Sequence, residues 1–421
     1  MSNNMEEADM TAKTKRALVP KLRFPEFRDA GEWDLDLLGN KTISKFIDER
    51  VSIDKLNLES YVSTENLLHD YAGVTRATKL PISGSFTCYK KDDVLISNIR
   101  PYLKKVWSAD KEGTSSNDVI VIRAGERIAS NFLVFVLKND QFIHYVMTGA
   151  KGVKMPRGDI SSMKEYPVAF PKDDEQKKIA DCLTSVDELI TLEARKIDAL
   201  KAHKKGLMQQ LFPAEGETLP KLRFPEFRDA GEWEEKKLGE IGNVLMCKRI
   251  FAEETNDREG VPFFKIGTLG GIADSFISRQ LFDEYRSKYN YPKKGEVLLT
   301  CSGTVGKCIP YNGADAYYQD SNIVWIANPT RVISNEFLFY ILSSVDWSRL
   351  NSTTITRIYG DDLRAISLVF PADPVEQQKI ADCLSSLDDL IALQSQKLDA
   401  LKAHKKGLLQ QLFPSPGEVG E

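Results

Sequence analysis

The sequence predicts an α+β protein: two similar α+β domains separated by two long helices that form an antiparallel coiled coil, with a pseudo-two-fold internal repeat. The segment PKLRFPEFRDAGEW occurs at residues 20–33 and again, letter for letter, at 220–233. A second block at 175–213 recurs at 376–414 with 29 of 39 positions identical. Both copies of that block carry heptad spacing. The two copies of each block are separated by nearly the same number of residues, which indicates that one unit is duplicated.

The repeats divide the chain into seven parts. These are a tail at 1–18, a first domain at 19–174, a first helix at 175–213, a linker at 214–218, a second domain at 219–375, a second helix at 376–414 and a tail at 415–421. The first tail is polar and mixed in charge, which is typical of a disordered segment. It lacks the apolar stretch of a secretory signal.

Apolar residues in the repeated block alternate in steps of three and four over about five heptads, which favours a coiled coil. The predicted core positions are Ile179, Leu183, Val186, Ile190, Ile197, Leu200, Leu207, Leu211, Ile380, Leu384, Leu387, Ile391, Leu398, Leu401, Leu408 and Leu412. Polar residues fill the remaining positions of the series. A parallel pair would require the second domain to return the chain along the whole helix, so an antiparallel pair is preferred. The alternative is two amphipathic helices that each pack on their own domain.

The middle of each unit mixes short β-branched and aromatic runs with one stretch of helical pattern, at 130–147 and at 334–350. Landmarks match between the copies, although most of the sequence differs. KKDDVLIS at 90–97 matches KKGEVLLT at 293–300, and SNDVIVI at 116–122 matches SNIVWIA at 321–327. Turn residues separate these runs. The pattern predicts one small α+β domain, present twice.

The composition is that of a globular protein, with 28% charged and 42% hydrophobic residues. No apolar run reaches the roughly 18–20 residues that span a bilayer, so we expect a cytoplasmic protein without a membrane partner. The net charge is −4, and the two middle regions hold 20 basic and 17 acidic, and 16 basic and 17 acidic residues. This balance is weak for a protein that binds nucleic acid alone.

Catalytic and metal-binding patterns are not evident in the sequence. None of the six cysteines forms a C-x-x-C pair, and H-E-x-x-H, G-x-S-x-G and G-x-G-x-x-G motifs are lacking. The segment CSGTVGKC at 301–308 resembles a phosphate-binding loop. However, Cys301 replaces the first glycine of that motif, and Cys308 replaces the hydroxyl residue that binds magnesium. We therefore expect no catalytic residue, no metal and no cofactor in this chain.

Four segments combine basic, hydroxyl and aromatic residues with glycines or prolines, a composition suited to phosphate and base-edge contacts. They are 96–107 and 148–159 in the first domain, and 301–308 and 351–362 in the second. The candidate DNA-binding residues are Arg100, Tyr102, Lys104, Lys105, Lys151, Lys154, Arg157, Ser302, Thr304, Lys307, Thr353, Thr354, Thr356, Arg357 and Tyr359. The alternative is that these are ordinary solvated loops.

The layout resembles the specificity subunit of Type I restriction–modification systems over residues 19–414. The features that carry the resemblance are the P-K-L-R-F-P-E-F…W segment, a variable domain, and E-Q-x-K-I-A-x-x-L leading into a long helix, each present twice. GTVGK at 303–307 and IRPYLKKV at 99–106 also resemble segments that recur in the target-recognition domains of that family.

The resemblance implies a non-catalytic subunit that recognises DNA sequence within a methyltransferase and endonuclease complex that defends against phage. Its partners would be double-stranded DNA, two methyltransferase (modification) subunits that bring S-adenosylmethionine and adenine-N6 chemistry, and restriction (translocase and nuclease) subunits. Because the two domains differ, the expected target is bipartite and asymmetric, with one half-site per domain. The alternative function is a non-DNA coiled-coil scaffold with two protein- or glycan-binding domains.

Overall fold

The computed structural model describes residues 18–152, 154–347 and 357–414. The tails predicted at 1–18 and 415–421 lie outside the described residues, except for Leu18. The chain forms two compact units, residues 1–194 with 397–421, and residues 195–396. Each unit therefore holds one domain, the beginning of one long helix and the end of the other. None of the described helices combines the length and the apolar composition that a membrane-spanning helix needs.

The described residues of the first domain form ten short strands and three short α-helices, and the first long helix follows. The strands are β1 Asp34–Leu37, β2 Ser44–Ile47, β3 Arg50–Val51, β4 Tyr61–Val62, β5 Phe86–Tyr89, β6 Val94–Ser97, β7 Val106–Ser108, β8 Gly113–Ser115, β9 Val119–Ala124 and β10 Pro167–Phe170. The helices are α1 Ser130–Leu137, α2 Asp140–Thr148, α3 Ile160–Lys164 and the long α4 Asp173–Leu211.

Over the described residues, the second domain repeats this order of strands, with two additional helices: α5 after its first strand and α6 after its fifth. The strands are β11 Glu234–Lys237, β12 Asn243–Leu245, β13 Thr255–Asn256, β14 Val261–Phe264, β15 Phe276–Ile277, β16 Val297–Thr300, β17 Cys308–Pro310, β18 Tyr317–Tyr318, β19 Ile323–Ala327 and β20 Ser367–Phe370. The helices are α5 Leu238–Ile241, α6 Arg279–Lys288, α7 Asn335–Ser344, α8 Gly360–Ala365 and the long α9 Pro374–Leu412.

A four-stranded antiparallel sheet forms the centre of each domain, in the order β2-β9-β6-β7 and β12-β19-β16-β17. Strand β6 is buried along its whole length because both of its faces are covered. Val94 and Ile96 face the core that includes α1, whereas Leu95 faces a second apolar cluster. In the other domain Val297 and Leu298 divide between two clusters in the same way. Burial on both faces accounts for the unbroken apolar runs seen in the sequence.

Strand pairing corrects one of the alignments drawn from the sequence. Val119 pairs with Ser97, and Ile323 pairs with Thr300. Asp118 is therefore the counterpart of Asn322, and the matching of SNDVIVI with SNIVWIA was wrong by one residue. The shared Ser-Asn letters favoured that register, but a slip of one residue would turn every side chain of the strand to the opposite face.

A second four-stranded sheet is connected differently in the two domains. Its strand order is β3-β5-β8-β4 in the first domain and β13-β15-β14-β18 in the second. The parallel pair β4–β8 has its counterpart in β14–β18. However, β5 pairs with β8, whereas β15 pairs with β14. The two domains thus share their central sheet and differ in the sheet beside it.

The stretch at 130–147 is two helices rather than the single helix that the sequence pattern predicts. Asn139 separates them because its side-chain oxygen accepts a hydrogen bond of 3.0 Å from the backbone N–H of Gln141, which caps α2. Its side-chain amide also donates to the carbonyl of Leu409, at 3.4 Å. In the second domain the helix predicted at 334–350 is α7, and the end of that prediction lies outside the described residues.

The long helices α4 and α9 contain 39 residues each and pack in antiparallel fashion, as predicted. In one unit Ile179, near the start of α4, lies in the same apolar cluster as Leu412, at the end of α9. In the other unit Leu211 shares a cluster with Ile380 and Leu384. All sixteen predicted core positions are buried or partly buried.

Ion pairs occupy the polar positions of the heptad series. Lys405 binds Asp187 at 2.5 Å in one unit, and Lys204 binds Asp388 at 2.5 Å in the other. Each ammonium group also lies over an aromatic ring, that of Phe135 or of its counterpart Tyr340. The buried carboxylate of Glu193 pairs with Lys397. Polar positions of this kind fix the register of paired helices, since a shift would bury charges without partners.

The repeated segment at 20–33 is held to the start of α4 by a buried ion pair. Arg23 Nε and Nη2 donate to the two carboxylate oxygens of Glu175 at 2.8 and 2.7 Å. Its remaining nitrogen donates to the carbonyl of Gly31 at 2.6 Å. Arg223 and Glu376 make the same bidentate pair in the other unit, at 2.6 and 2.8 Å. Because Arg23 and Glu175 lie 152 positions apart, the pair joins the beginning of the domain to its end.

The glutamine that follows Glu175 fixes the helix to its domain a second time. Gln176 Nε2 donates to the carbonyls of Pro171 and Arg127, and its oxygen accepts from the N–H of Ala129. Gln377 makes the corresponding three bonds in the other unit. A buried amide with every partner supplied is rigid. The E-Q pair at the start of both long helices therefore sets the direction in which each helix leaves its domain.

Breaking the arginine–glutamate pair should lower the free energy of unfolding. Glu175→Gln leaves a buried guanidinium without its counter-charge, for which we expect a loss of about 3–5 kcal/mol. Urea denaturation followed by tryptophan fluorescence would measure it, because Trp33 lies beside Glu175. The matched control is Glu26→Gln, which breaks the exposed pair of Glu26 with Lys178 and should cost far less, because solvent screens that pair. Equal losses in the two variants would contradict the assignment.

Lys138, which forms no ion pair with any described carboxylate, lies beside the ion pair of Asp187 and Lys405. Burial lowers the pKa of Lys138 to about 8, and the nearby Lys405 acts in the same direction, while Asp187 opposes both. Between about pH 8 and 10.5 the unfolded chain therefore binds a proton that the folded chain does not. The free energy of unfolding rises with pH over that window.

Lys138→Met should therefore stabilise the protein at pH 7 by up to about 3 kcal/mol. The gain should shrink as the pH rises through 8 and vanish above about 10.5, where both states of the wild-type lysine are neutral. Urea titrations at pH 7, 9 and 10.5 would measure this. Lys402→Met, at an exposed position of α9, should change little at any pH. A gain that does not depend on pH would contradict the titration of Lys138.

Candidate nucleic-acid interface

Two of the predicted loops of the first domain lie side by side. The N–H of Arg100 donates to the carbonyl of Pro156 at 2.8 Å, and the N–H of Gly158 donates to the carbonyl of Asn98 at 3.0 Å. Residues 98–105 therefore form one surface with residues 151, 152 and 154–158, and we call this surface the loop pair. Lys151 and Arg157 bond to each other through their backbones and close the second segment into a small hairpin.

The second domain contains an equivalent loop pair. The N–H of Ile358 donates to the carbonyl of Cys301 at 2.9 Å, and Ser302 forms a backbone bridge with Arg357. These bonds make Arg357 the structural counterpart of Arg157. The sequences of the two segments match only loosely, so their equivalence is recognised from the hydrogen bonds and not from the amino-acid sequence.

Left-handed backbone conformations occur at matching places in the two loop pairs. Arg100 and Lys104 have φ of 51° and 53°, and Gly303 and Gly306 have φ of 66° and 85°. The backbone bonds from Ser97 to Lys105 and from Thr300 to Lys307 align these positions. The first left-handed position, at Arg100 or Gly303, is therefore common to both loops, whereas the backbone that follows it is one residue longer in the first domain.

The lysine that ends each of these loops has a structural contact. Lys105 Nζ donates to the carbonyl of Thr64 at 2.6 Å, and Lys307 Nζ donates to the carbonyl of Leu269. Burial, aided by the nearby charge of Arg100, lowers the pKa of Lys105. Both lysines thus tie the loop pair to the connection that follows the parallel strand β4 or β14. For Lys307 this contact replaces the phosphate contact that a P-loop lysine would make.

Carboxylates neutralise three further candidates in the first domain. Lys104 pairs with Asp140 at 2.6 Å, Lys151 with Asp159 at 2.5 Å and Arg157 with Asp118 at 2.9 Å. The Lys151 ammonium holds the pKa of Asp159 below its usual range. These carboxylates were not singled out from the sequence, because contacts with residues far along the chain leave no local pattern.

Arg100, Tyr102 and Lys154 remain exposed in the first domain. Within the described ranges, no hydrogen bond or ion pair engages the side chains of these three residues. Lys154 lies in the hairpin between Lys151 and Arg157, whereas Arg100 is fixed by its backbone between the two segments. They are the groups of this surface that a ligand could bind without displacing an internal contact.

The second loop pair presents different groups. Thr304 is exposed, and the hydroxyl of Ser302 donates to the side-chain oxygen of Asn322 at 2.8 Å. The guanidinium of Arg357 lies 5.5 Å from the ring centre of Tyr359, whose side chain is 63% exposed. Arg357 Nε is buried without a hydrogen-bond partner in the described structure. Thr353, Thr354 and Thr356 lie outside the described residues.

The GTVGK segment needs its second glycine for space as well as for conformation. A Cβ atom at Gly306 would lie 2.1–2.6 Å from three atoms of the Trp347 ring. At Gly303, the contact would be a single methyl group of Ile266 at 3.1 Å. Both glycines have positive φ, so the two positions differ mainly in the space around them.

Gly306→Ala should therefore destabilise the protein by about 2–4 kcal/mol, because it adds a clash to the cost of a left-handed alanine. Gly303→Ala carries only the conformational cost, for which we expect about 1 kcal/mol. Urea denaturation of the two variants would measure the difference. Losses of the same size would show that Trp347 does not constrain this loop.

Comparisons with known proteins place the chain in a family. The sequence model of the Type I restriction modification DNA specificity domain matches twice, at residues 39–202 and 230–403. The chain therefore belongs to the family of Type I restriction–modification specificity subunits, with two target-recognition domains. Recognition of DNA sequence follows from this membership.

Two curated relatives illustrate the similarity. The chain is 33% identical over 277 residues to the type I restriction enzyme specificity subunit S.HindORF215P of Haemophilus influenzae, covering 66% of this chain and 69% of that protein. It is 24% identical over 323 residues to the MjaVIII specificity subunit of Methanocaldococcus jannaschii, covering 72% and 74%. Nothing in these comparisons supports the alternative of a scaffold that does not bind DNA.

Solved structures show the same fold. The S subunit of M. genitalium covers 94% of this chain and 100% of its own, with a TM-score of 0.59 and 16% identity. A chain from a structure described as the complex assembly and conformational transition of the type I R-M system covers 91% and 98%, with a TM-score of 0.54 and 18% identity. These likenesses extend over nearly the full length of the chain.

Proposed function

We propose that this chain reads a bipartite, asymmetric target in double-stranded DNA, with one half-site for each domain. The observation that carries the proposal is the loop pair, which both domains join by equivalent backbone hydrogen bonds and furnish with different side chains. Identical readers related by a two-fold axis select palindromes. Two domains that share a framework but present different side chains are instead suited to two different half-sites, separated by base pairs that are not recognised.

In this proposal the chain is non-catalytic and positions two modification subunits for methylation of adenine N6. Those subunits bind S-adenosylmethionine, which supplies the methyl group, and restriction subunits add translocation and cleavage. The side chains of this chain select the site at which the methyl transfer takes place. The net charge of −4 agrees with this division, since partner subunits would supply much of the positive field around the DNA.

A repeated apolar surface on the long helices supports the binding of two copies of one partner. Leu189 and Leu192 are 48% and 61% exposed on α4, and their counterparts Leu390 and Leu393 are 37% and 60% exposed on α9. Each unit therefore offers the same pair of exposed leucines. Exposed apolar side chains at equivalent positions are suited to a protein contact. Two equivalent exposed surfaces are what the binding of two modification subunits, one on each surface, would require.

The test is to map N6-methyladenine in the DNA of cells that make this chain together with its modification subunit. We expect methylation at one split and asymmetric motif. Exchange of residues 34–170 for another recognition domain should change one half of the motif and leave the other half and the spacer intact, because the second loop pair is untouched.

The reciprocal exchange of residues 234–370 is the matched control, and it should change only the other half-site. The proposal fails if an assembled complex methylates no specific motif. It also fails if either exchange changes both halves, since each domain would then not read its half-site independently.

A further inference from the structure

We infer that Arg100 is the specificity-determining residue of the first domain and that it reads a guanine of the corresponding half-site. The inference rests on the proposed function. It assigns the recognition of one base to a single side chain rather than to a surface of several loops. It starts from the backbone conformation of Arg100, which is unfavourable for arginine.

Two local preferences oppose the conformation of Arg100. Its φ of 51° and ψ of 62° are left-handed, a region that residues with a Cβ atom rarely adopt. It also precedes Pro101, and residues before a proline favour an extended backbone. At the equivalent position the second domain has Gly303, which adopts this conformation without strain. The sequence of the first domain thus retains an arginine where glycine would fit the backbone better.

No internal contact of the side chain explains why arginine stands there. The guanidinium is exposed, and in the described part of the chain it forms no hydrogen bond or ion pair. The neighbouring cations differ in this respect, since Lys104, Lys151 and Arg157 are paired with carboxylates and Lys105 with a carbonyl. A strained residue with an unused functional group is characteristic of a binding site.

The position also suits a base contact better than a phosphate contact. The N–H of Arg100 is bonded to Pro156, so the backbone is fixed between the two segments of the loop pair. Base readout requires that fixed geometry, and a bidentate bond from arginine to O6 and N7 of guanine is the commonest specific contact in the major groove. Gly303 offers no side chain, so the second domain does not read a base from this position.

The experiment combines a stability measurement with a methylation map. Arg100→Gly removes the guanidinium and relieves the left-handed strain, so the melting temperature should stay the same or rise. Methylation should lose its requirement for one G·C pair in the half-site of the first domain, with discrimination there falling roughly 5- to 150-fold. Arg100→Lys keeps the charge but lacks the fork of donors, and it should relax the same position.

Arg331→Gly is the matched control. Arg331 is also exposed and left-handed, with φ of 54°, but it lies in the connection between β19 and α7. Its replacement removes the same charge and relieves the same kind of strain, and we expect the motif to remain unchanged.

Three results would overturn the inference. The first is an unchanged motif in Arg100→Gly. The second is a uniform loss of methylation at all sites with the motif intact, which would indicate a phosphate contact. The third is a lowered melting temperature, which would indicate a structural residue. A wild-type complex without any split motif would instead overturn the proposed function. The failure of the inference and the failure of the function are therefore distinguishable.

Discussion

The fold depends on one buried ion pair that is made twice, between Arg23 and Glu175 and between Arg223 and Glu376. Each pair closes a domain by joining the segment that opens it to the first turn of the long helix that leaves it. A buried guanidinium requires its carboxylate, so neither residue can change alone without a large cost. The same reasoning applies to the glutamine that follows each glutamate, because the groups of its side-chain amide all have hydrogen-bond partners. These contacts give a physical reason for the recurrence of Arg23 and Trp33 in the other half, because both contact Glu175 in the joint between domain and helix, and the geometry of that joint tolerates little variation.

The joint and the central sheet leave the rest of each domain free to differ. The sheet to which β6 or β16 belongs has the same strand order in both domains and is covered by apolar side chains on both faces. The neighbouring sheet changes its pairing, since β5 joins β8 whereas β15 joins β14. Stability therefore resides in the parts that are repeated, and the parts that differ lie beside the loop pair. Such a division would allow two half-sites to be read from one frame, as proposed, because a change beside the loop pair leaves the long helices unchanged.

The sequence predicted the features whose signal is local or repeated. Heptad spacing located both long helices and their core residues, and the antiparallel packing followed from the connectivity. The loops were singled out by their composition, and their contact with DNA stays a prediction. What could not be predicted depends on contacts across the chain. Nothing near Arg157 in the sequence indicates its pairing with Asp118, and the letters of GTVGK do not indicate that the Lys307 ammonium bonds the carbonyl of Leu269. The alignment at Asp118 was wrong for a related reason, since strand register is decided by which face is buried rather than by matching letters.

Arg100 and Gly303 occupy equivalent left-handed positions in the two loop pairs, although one has a long charged side chain and the other has none. Hydrogen bonds from main-chain atoms define the loop pair in both domains, and such bonds do not depend on the side chain. A left-handed position in that backbone accepts glycine freely and accepts other residues at a modest cost. The cost is small beside the buried pairs that hold the domain together, so this position can carry a large charged group in one reader and no side chain in the other. A single position of the loop pair can therefore change while the joint, the central sheet and the long helices keep their geometry.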